Sequence, residues 1–189
     1  MRVYIKNMVC LRCKLLVQDE IKSLNLEYDE VKMGEAVIKE PVSPEKLKAL
    51  NSALLKSGLQ IIDDKKSRLV EQIKSVVIEQ VHYTEEPLVE NFSSFLAAKL
   101  NYDYTYLSNL FAANQGITLE HYIIGHKIEK VKELLVYDEH NLTQIADKLH
   151  YSSAAHLSKQ FKKVTGFTAS YFKELKRIRF EEKKKKIKK

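Results

Sequence analysis

Between Leu142 and Phe172, apolar positions recur with helical spacing on both sides of a short polar break. Leu142, Ile145, Ala146 and Leu149 fall on one helical face. A turn at His150-Tyr151 follows, and Ser152 is placed to cap a second helix. In that helix Leu157 and Phe161 point inward, which leaves Ser153, Ala154, Ala155, Ser158 and Lys159 on the outer surface. A helix, a tight turn and a second helix with a small, polar outer face is the form that enters a DNA major groove. From spacing alone, an ordinary pair of packed helices is the alternative. His150 favours the turn, because such a turn needs positive φ, and His, Asn and Asp tolerate it better than other side chains.

The pattern occurs twice. Phe95-Leu96-Ala97-Ala98-Lys99-Leu100 matches the segment up to Leu149 at an offset of 49, and Leu107, Ser108, Phe111, Gly116 and Thr118 match Leu157, Ser158, Phe161, Gly166 and Thr168 at an offset of 50. The slip falls in the turn, where Asn101 takes the place of His150. Ser93 is placed to cap the leading helix of the first copy. Between the copies, Leu119 to about Tyr137 predicts a helix roughly 27 Å long, able to hold two recognition helices about one DNA turn apart. Before the first copy, Ser67 to about His82 predicts a helix with Leu69, Val70, Ile73, Val76, Val77 and Val81 inward. Asp63-Asp64 is its cap, and Glu85-Glu86-Pro87 ends the segment.

The first 64 residues have a different rhythm. Met1–Lys6 alternates as a strand, and a helix follows from about Leu11 to Leu24 with Leu15, Leu16, Ile21 and Leu24 on one face. Leu26–Lys32 and Ala36–Glu40 read as strands about a turn at Met33-Gly34. Ser43-Pro44 opens a helix that carries Leu47, Leu50, Leu54 and Leu55 and stops at Gly58. Leu59–Ile62 is a last strand. The order is βαββαβ, a small ferredoxin-like α+β sandwich, followed by an all-α part with two helix-turn-helix units. The expected domains are 1–64, 65–180 and a tail over 181–189.

Charge changes the picture at one end only. The net charge is +7, yet residues 1–64 hold ten Lys/Arg and ten Asp/Glu, and residues 65–172 hold twelve of each. The excess lies in Lys173–Lys189, with ten basic residues against three acidic. The end of this tail is too charged to pack and reads as disordered. A solubilising tail is the plain reading; the functional one is salt-sensitive attraction to phosphate. No apolar run approaches the roughly 20 residues of a membrane span, and no signal-peptide core is visible. The expectation is a cytoplasmic protein with reduced thiols and no membrane partner. There is no nucleophile–base constellation, Gly-rich phosphate loop or paired-acid motif, so an enzyme is not expected.

The second repeat reads Ile145-Ala146, Leu149, Tyr151-Ser152-Ser153, His156-Leu157-Ser158 and Phe161-Lys162-Lys163-Val164-Thr165-Gly166-Phe167-Thr168. With the first repeat it resembles the double helix-turn-helix DNA-binding domain of AraC-type transcription regulators. Two departures are visible: His150 stands where that family usually has Gly, and Ala169 where it usually has Pro. The resemblance implies a regulator whose partner is promoter or operator DNA, and leaves room for a homodimer and for contact with RNA polymerase. By position in the repeats, Thr105, Ser108 and Asn109 would face bases from the first copy. Ser153, Ala154, Ala155, Ser158 and Lys159 would do so from the second. Asn109 suits adenine, Lys159 guanine and the alanine methyls thymine. Lys162 and Lys163 would touch phosphate, while Tyr104 and Tyr106 are expected to pack.

Cys10 and Cys13 sit where the first loop meets the first helix. Two thiols separated by two residues can aim at one ion, and a helix N-terminus favours their thiolates. Two soft ligands suit Cu(I), with Zn(II), Hg(II) or Cd(II) reachable through outside ligands. Met8-Val9-Cys10-Leu11-Arg12-Cys13 resembles the MxCxxC loop of heavy-metal-associated domains, which implies that Cys10 and Cys13 are ligands and that Met8 packs beneath the loop. Asn7 stands where that family usually has Gly. Metal binding, a redox pair, and a remnant on a fold kept for another role stay open. So do a soft-metal carrier or chaperone, and a regulator whose N-terminal domain only dimerises or makes protein contacts. His121 and His126 are five apart rather than four. They read as surface or partly packed, as do His82, His140 and His156.

Overall fold

In a computed structural model of the chain, residues 1–39, 41–84, 88, 90–137, 140–176 and 178 are described. Glu85-Glu86-Pro87 and the tail over 181–189 lie outside them. Two compact units form: Met1–Gln80 with Leu96–Thr118, and Val81–Phe95 with Leu119–Lys189.

In the first unit, β1 (Arg2–Lys6), α1 (Leu11–Ser23), β2 (Tyr28–Lys32), β3 (Glu35–Ile38), α2 (Pro44–Leu55) and β4 (Gln60–Ile62) follow one another. The sheet order is β2-β3-β1-β4, and each neighbouring pair runs antiparallel. Strand side chains alternate between faces. Val3, Ile5, Val31, Ala36 and Ile38 therefore share one face and join Val17 and Ile21 of α1 and Leu50 and Leu54 of α2 in a single core. The other face meets α3 (Lys65–Ile78): Tyr4, pointing opposite to Val3 and Ile5, lies under the Arg68 guanidinium at 5.1 Å. Gly34, at φ +78, lets the hairpin approach α3 so closely that a Cβ there would stand 2.5 Å from Ser75 Oγ. The same helix α3 packs against α5 (Tyr104–Gln115) of the first repeat.

Several local expectations need correction. Leu15 is exposed, and Val17 takes its place in the core, because the buried stripe of α1 runs through Val17 and Ile21. Leu55 is likewise exposed beside buried Leu54. β2 starts at Tyr28 rather than Leu26, because Asn25 turns at φ +51 and the Leu26 amide is spent on Ile21 O, closing α1. The α-helical part of the third helix stops at Ile78, and a π-helical turn over Glu79–Tyr83 carries it on. In α4 (Phe92–Leu100) the cap is Asn91, not Ser93. The Asn91 carboxamide oxygen accepts from the Ser94 amide and from the Ser93 hydroxyl, which is thereby used up as a donor. Ser43 caps α2 with Pro44 in its first turn, and Asp64 caps α3, both as expected.

In the second unit, α6 (Leu119–Tyr137), α7 (Leu142–Lys148) and α8 (Ala154–Thr165) enclose one core. Ile128, Val131 and Leu135 from α6, Ile145 and Ala146 from α7, and Leu157 and Phe161 from α8 meet with Leu149, Tyr151 and Ala169. Residues 169–176 form a further helix. Ala169 is buried at its first turn, as a packed methyl.

Candidate nucleic-acid interface

α7 begins with a reciprocal capping box, in which the Asn141 side chain accepts from the Gln144 amide and the Gln144 side chain accepts from the Asn141 amide. This satisfies two otherwise orphaned donors at the helix start. Its end is a turn at His150, φ +56, after which the Tyr151 amide donates to Ala146 O. Asn101 holds φ +58 at the matching place in the first repeat. The His150 ring Nε2 also accepts from the Leu88 amide at 2.6 Å. Burial, and then the charge of Lys127, holds the His150 imidazole below its ordinary pKa.

α8 is capped by Ser153, whose hydroxyl accepts from the His156 amide. Ser152, expected as the cap, instead shares a 3.0 Å hydrogen bond with His156 Nδ1. Leu157 and Phe161 are fully buried, which fixes the rotation of the helix. Ser153, Ala155, Lys159, Lys162 and Lys163 are exposed, and Ala154 and Ser158 are half-buried at the edge of that face. The helix ends at Gly166, φ +79, with Lys162 and Lys163 in its last turn. α8 thus presents short polar side chains and one amine where the helix begins, and two amines where it ends.

In the first repeat, Asp103 caps α5 by accepting from the Thr105 and Tyr106 amides. Thr105 and Asn109 are exposed and Ser108 is half-buried. Tyr106, expected to pack, is exposed: Leu107, Leu110 and Phe111 already fill the core side of α5. Tyr104 is half-buried.

Behind the second repeat lies a cluster that the spacing did not reveal. His82 Nε2 and His126 Nδ1 are 3.0 Å apart, and Tyr122 meets the His126 ring edge-on at 4.6 Å. Burial pushes both imidazoles down, His126 to about 4. Lys127 lies over the rings of Phe92 and Tyr151, at 5.7 and 5.3 Å. Its burial lowers it to about 8, and burial raises the Tyr151 phenol to about 12. The partner of His126 is 44 positions away in the chain, so no local pattern could have paired them.

The thiols form a separate site. Cys10 opens α1 and its Sγ lies 3.4 Å from that of Cys13, both half-exposed. A hydrogen bond from the Cys13 amide, with smaller help from the Cys13 side chain and from Arg12, lowers the Cys10 thiol below its usual range despite some burial. The two sulfurs are close enough together to share one soft ion. No third His, Cys, Asp or Glu completes the set among the described residues. Met8 is buried beneath the loop, and Asn7 takes φ +70, a conformation for which Gly is the ordinary choice. Glu71, the buried charged residue of the first unit, holds this loop: its Oε2 accepts from the Asn7 amide at 3.3 Å and its Oε1 pairs with Lys74 at 2.8 Å.

Residues 96–174 match the family model described as a helix-turn-helix domain. Among curated proteins the chain is similar to an uncharacterized HTH-type transcriptional regulator, YtdP, of Bacillus subtilis: 29% identity over 82 residues, 43% of this chain and 11% of that protein. It is also similar to a probable transcriptional regulator, LumQ, of Photobacterium leiognathi, at 27% identity over 63% of this chain and 46% of that protein. The chain spans less than half the length of either relative. A solved structure, the C-terminal domain of AraT, a response regulator from Geobacillus stearothermophilus, overlaps 59% of this chain and 88% of its own at 25% identity and a TM-score of 0.49. Over this region the chain is similar to helix-turn-helix domains and to transcriptional regulators. No helix among the described residues is long and apolar enough to cross a membrane.

Proposed function

We propose that the protein is an AraC-type, sequence-specific DNA-binding transcription regulator. The observation that carries this reading is the outer face of α8: core contacts at Leu157 and Phe161 fix its rotation, and the same rotation exposes Lys159 with Ser153 and Ala155 beside it. α5 repeats the arrangement with Thr105 and Asn109. Ser153, Ala154, Ala155, Ser158 and Lys159, with Thr105, Ser108 and Asn109, read base edges. Lys162 and Lys163, a turn further along, grip phosphate and set register. Promoter DNA is the partner, and dimer formation or contact with polymerase would belong to the assembled regulator.

Residues 1–64 read, on this proposal, as a ferredoxin-like sensor layer; element order and sheet order support it. Cys10 and Cys13 would hold a soft ion such as Cu(I), with Zn(II), Hg(II) or Cd(II) taking outside ligands, and the ion would supply charge and a fixed sulfur geometry to the loop that Glu71 holds. The alternative of a metal carrier predicts ion binding without sequence-specific DNA binding.

The test is selection of a duplex from a random library, followed by gel shifts with and without Cu(I), Zn(II) and a chelator. Lys159→Ala should relax base preference at one position, by about 1–3 kcal/mol of discrimination. Lys162→Ala should weaken all duplexes alike and reduce the salt slope by about one. Identical sequence preference and salt slope in both variants would refute the placement of α8. Metal control is refuted separately if Cys10→Ser/Cys13→Ser leaves the ion dependence of the shift unchanged.

A further inference from the structure

At the entrance of each candidate recognition helix stands a pair of exposed side chains in contact. In the first repeat, Tyr102 and Tyr106 are 49% and 46% exposed, with rings stacked 5.6 Å apart at 24°. Fifty residues on, at the same places, Ser152 and His156 are exposed and joined by their 3.0 Å hydrogen bond. In both repeats the first member precedes the capping residue, Asp103 or Ser153, and the second lies in the helix's first turn.

Both pairs leave a polar hydrogen without a protein partner among the described residues. Stacking occupies the tyrosine faces and leaves both phenol hydroxyls free of a protein partner among the described residues. Ser152 and His156 hold at least two polar hydrogens between them, and their mutual bond consumes one. Whichever tautomer is present, the other hydrogen remains for an outside acceptor. Tyr106 sits about 100° round α5 from Thr105, on the flank of the base-facing stripe, and His156 stands likewise beside Ala155. A side chain on the flank of a helix in the major groove faces the wall of the groove, which is sugar and phosphate.

We propose that Tyr102–Tyr106 and Ser152–His156 are matched phosphate-gripping pairs that seat each recognition helix on the DNA backbone; this rests on the DNA-binding reading above. The partner chemistry is the phosphodiester oxygen, accepting from phenol, hydroxyl or imidazole N–H. Neutral donors add affinity without reading sequence.

The test uses the full chain, the duplex recovered by selection and a scrambled duplex of equal length, with binding followed by fluorescence anisotropy across a salt series. Tyr102→Phe/Tyr106→Phe keeps the stack and removes only the hydroxyls. Ser152→Ala/His156→Phe keeps the edge-on contact with Tyr151, 5.4 Å between centroids. Each double variant should weaken both duplexes by the same factor, roughly tenfold for a lost bond to a charged oxygen. For the tyrosine variant the salt slope should stay that of the wild type, because an uncharged donor releases no counterions. Unchanged affinity, or a loss confined to the selected duplex, overturns the proposal while the DNA-binding reading stands. A wild-type protein that binds neither duplex overturns both.

Discussion

Replacing Glu71 with alanine should destabilise the first unit by about 3 kcal/mol. Glu71 is 6% exposed and ion-paired, so its environment must compensate for lost water. One oxygen pairs with Lys74 Nζ at 2.8 Å, and the other accepts from the Asn7 amide at 3.3 Å. The paired side chains keep only 8% and 16% of their exposure, so solvent screening is weak. Breaking a buried pair by removing one partner costs about 3–5 kcal/mol. The lower end applies here, because Lys74 keeps a route to water and the Asn7 bond is long. Glu71→Gln preserves volume and an oxygen for Asn7 and loses the charge pairing alone, which should cost about 1.5 kcal/mol. Urea unfolding followed by circular dichroism measures both. Hydrogen exchange adds a local readout: the Asn7 amide should lose protection in the alanine variant and keep most of it in the glutamine one. A cost below about 1 kcal/mol for alanine, or equal costs for both variants, would refute this account.

Two further outcomes are expected. His150 holds φ +56, which costs a non-glycine residue about 1 kcal/mol, and its ring accepts from the Leu88 amide, worth about the same. His150→Gly should therefore stay within about 0.5 kcal/mol of wild type, and His150→Ala should lose about 1 kcal/mol; a glycine variant as unstable as the alanine one would sink the strain argument. His126 is held at about 4 in the folded chain, chiefly by burial and then by His82, against an ordinary 6.5. The unfolded chain thus binds more protons between those values. The contribution is fully present above pH 6.5 and is lost as pH falls toward 4, up to about 3 kcal/mol. Unfolding curves at pH 7 and pH 4.5 check it. His126→Gln should flatten the difference, and an unchanged pH slope in that variant would count against it.

The turns and the repeat were legible because each is a local matter. His150 and Asn101 announce positive φ by residue type, and both take it. The spacing of Leu157 and Phe161 marks the outer face of α8. What escaped was long-range or a matter of competition. Glu71 reads as one more charge on a helix face, and nothing within a turn of it signals that Asn7 lies opposite. Ser152 and Ser153 are equally good caps by type; the choice depends on which hydroxyl the backbone brings to the His156 amide. Tyr106 reads as a packing residue, yet it is Leu107, Leu110 and Phe111 that form the buried side of α5. The π-helical turn at Glu79–Tyr83 has no residue-level mark.

Only two sulfhydryls occur among the 189 residues, and they already touch. Trivalent arsenicals close on two neighbouring sulfurs at once and ignore single ones, so a fluorescent arsenical would label this chain at one spot. The dye would report from the start of α1 while leaving α8 chemically untouched. Motion at one end of the polypeptide can then be followed by light while the other end is occupied.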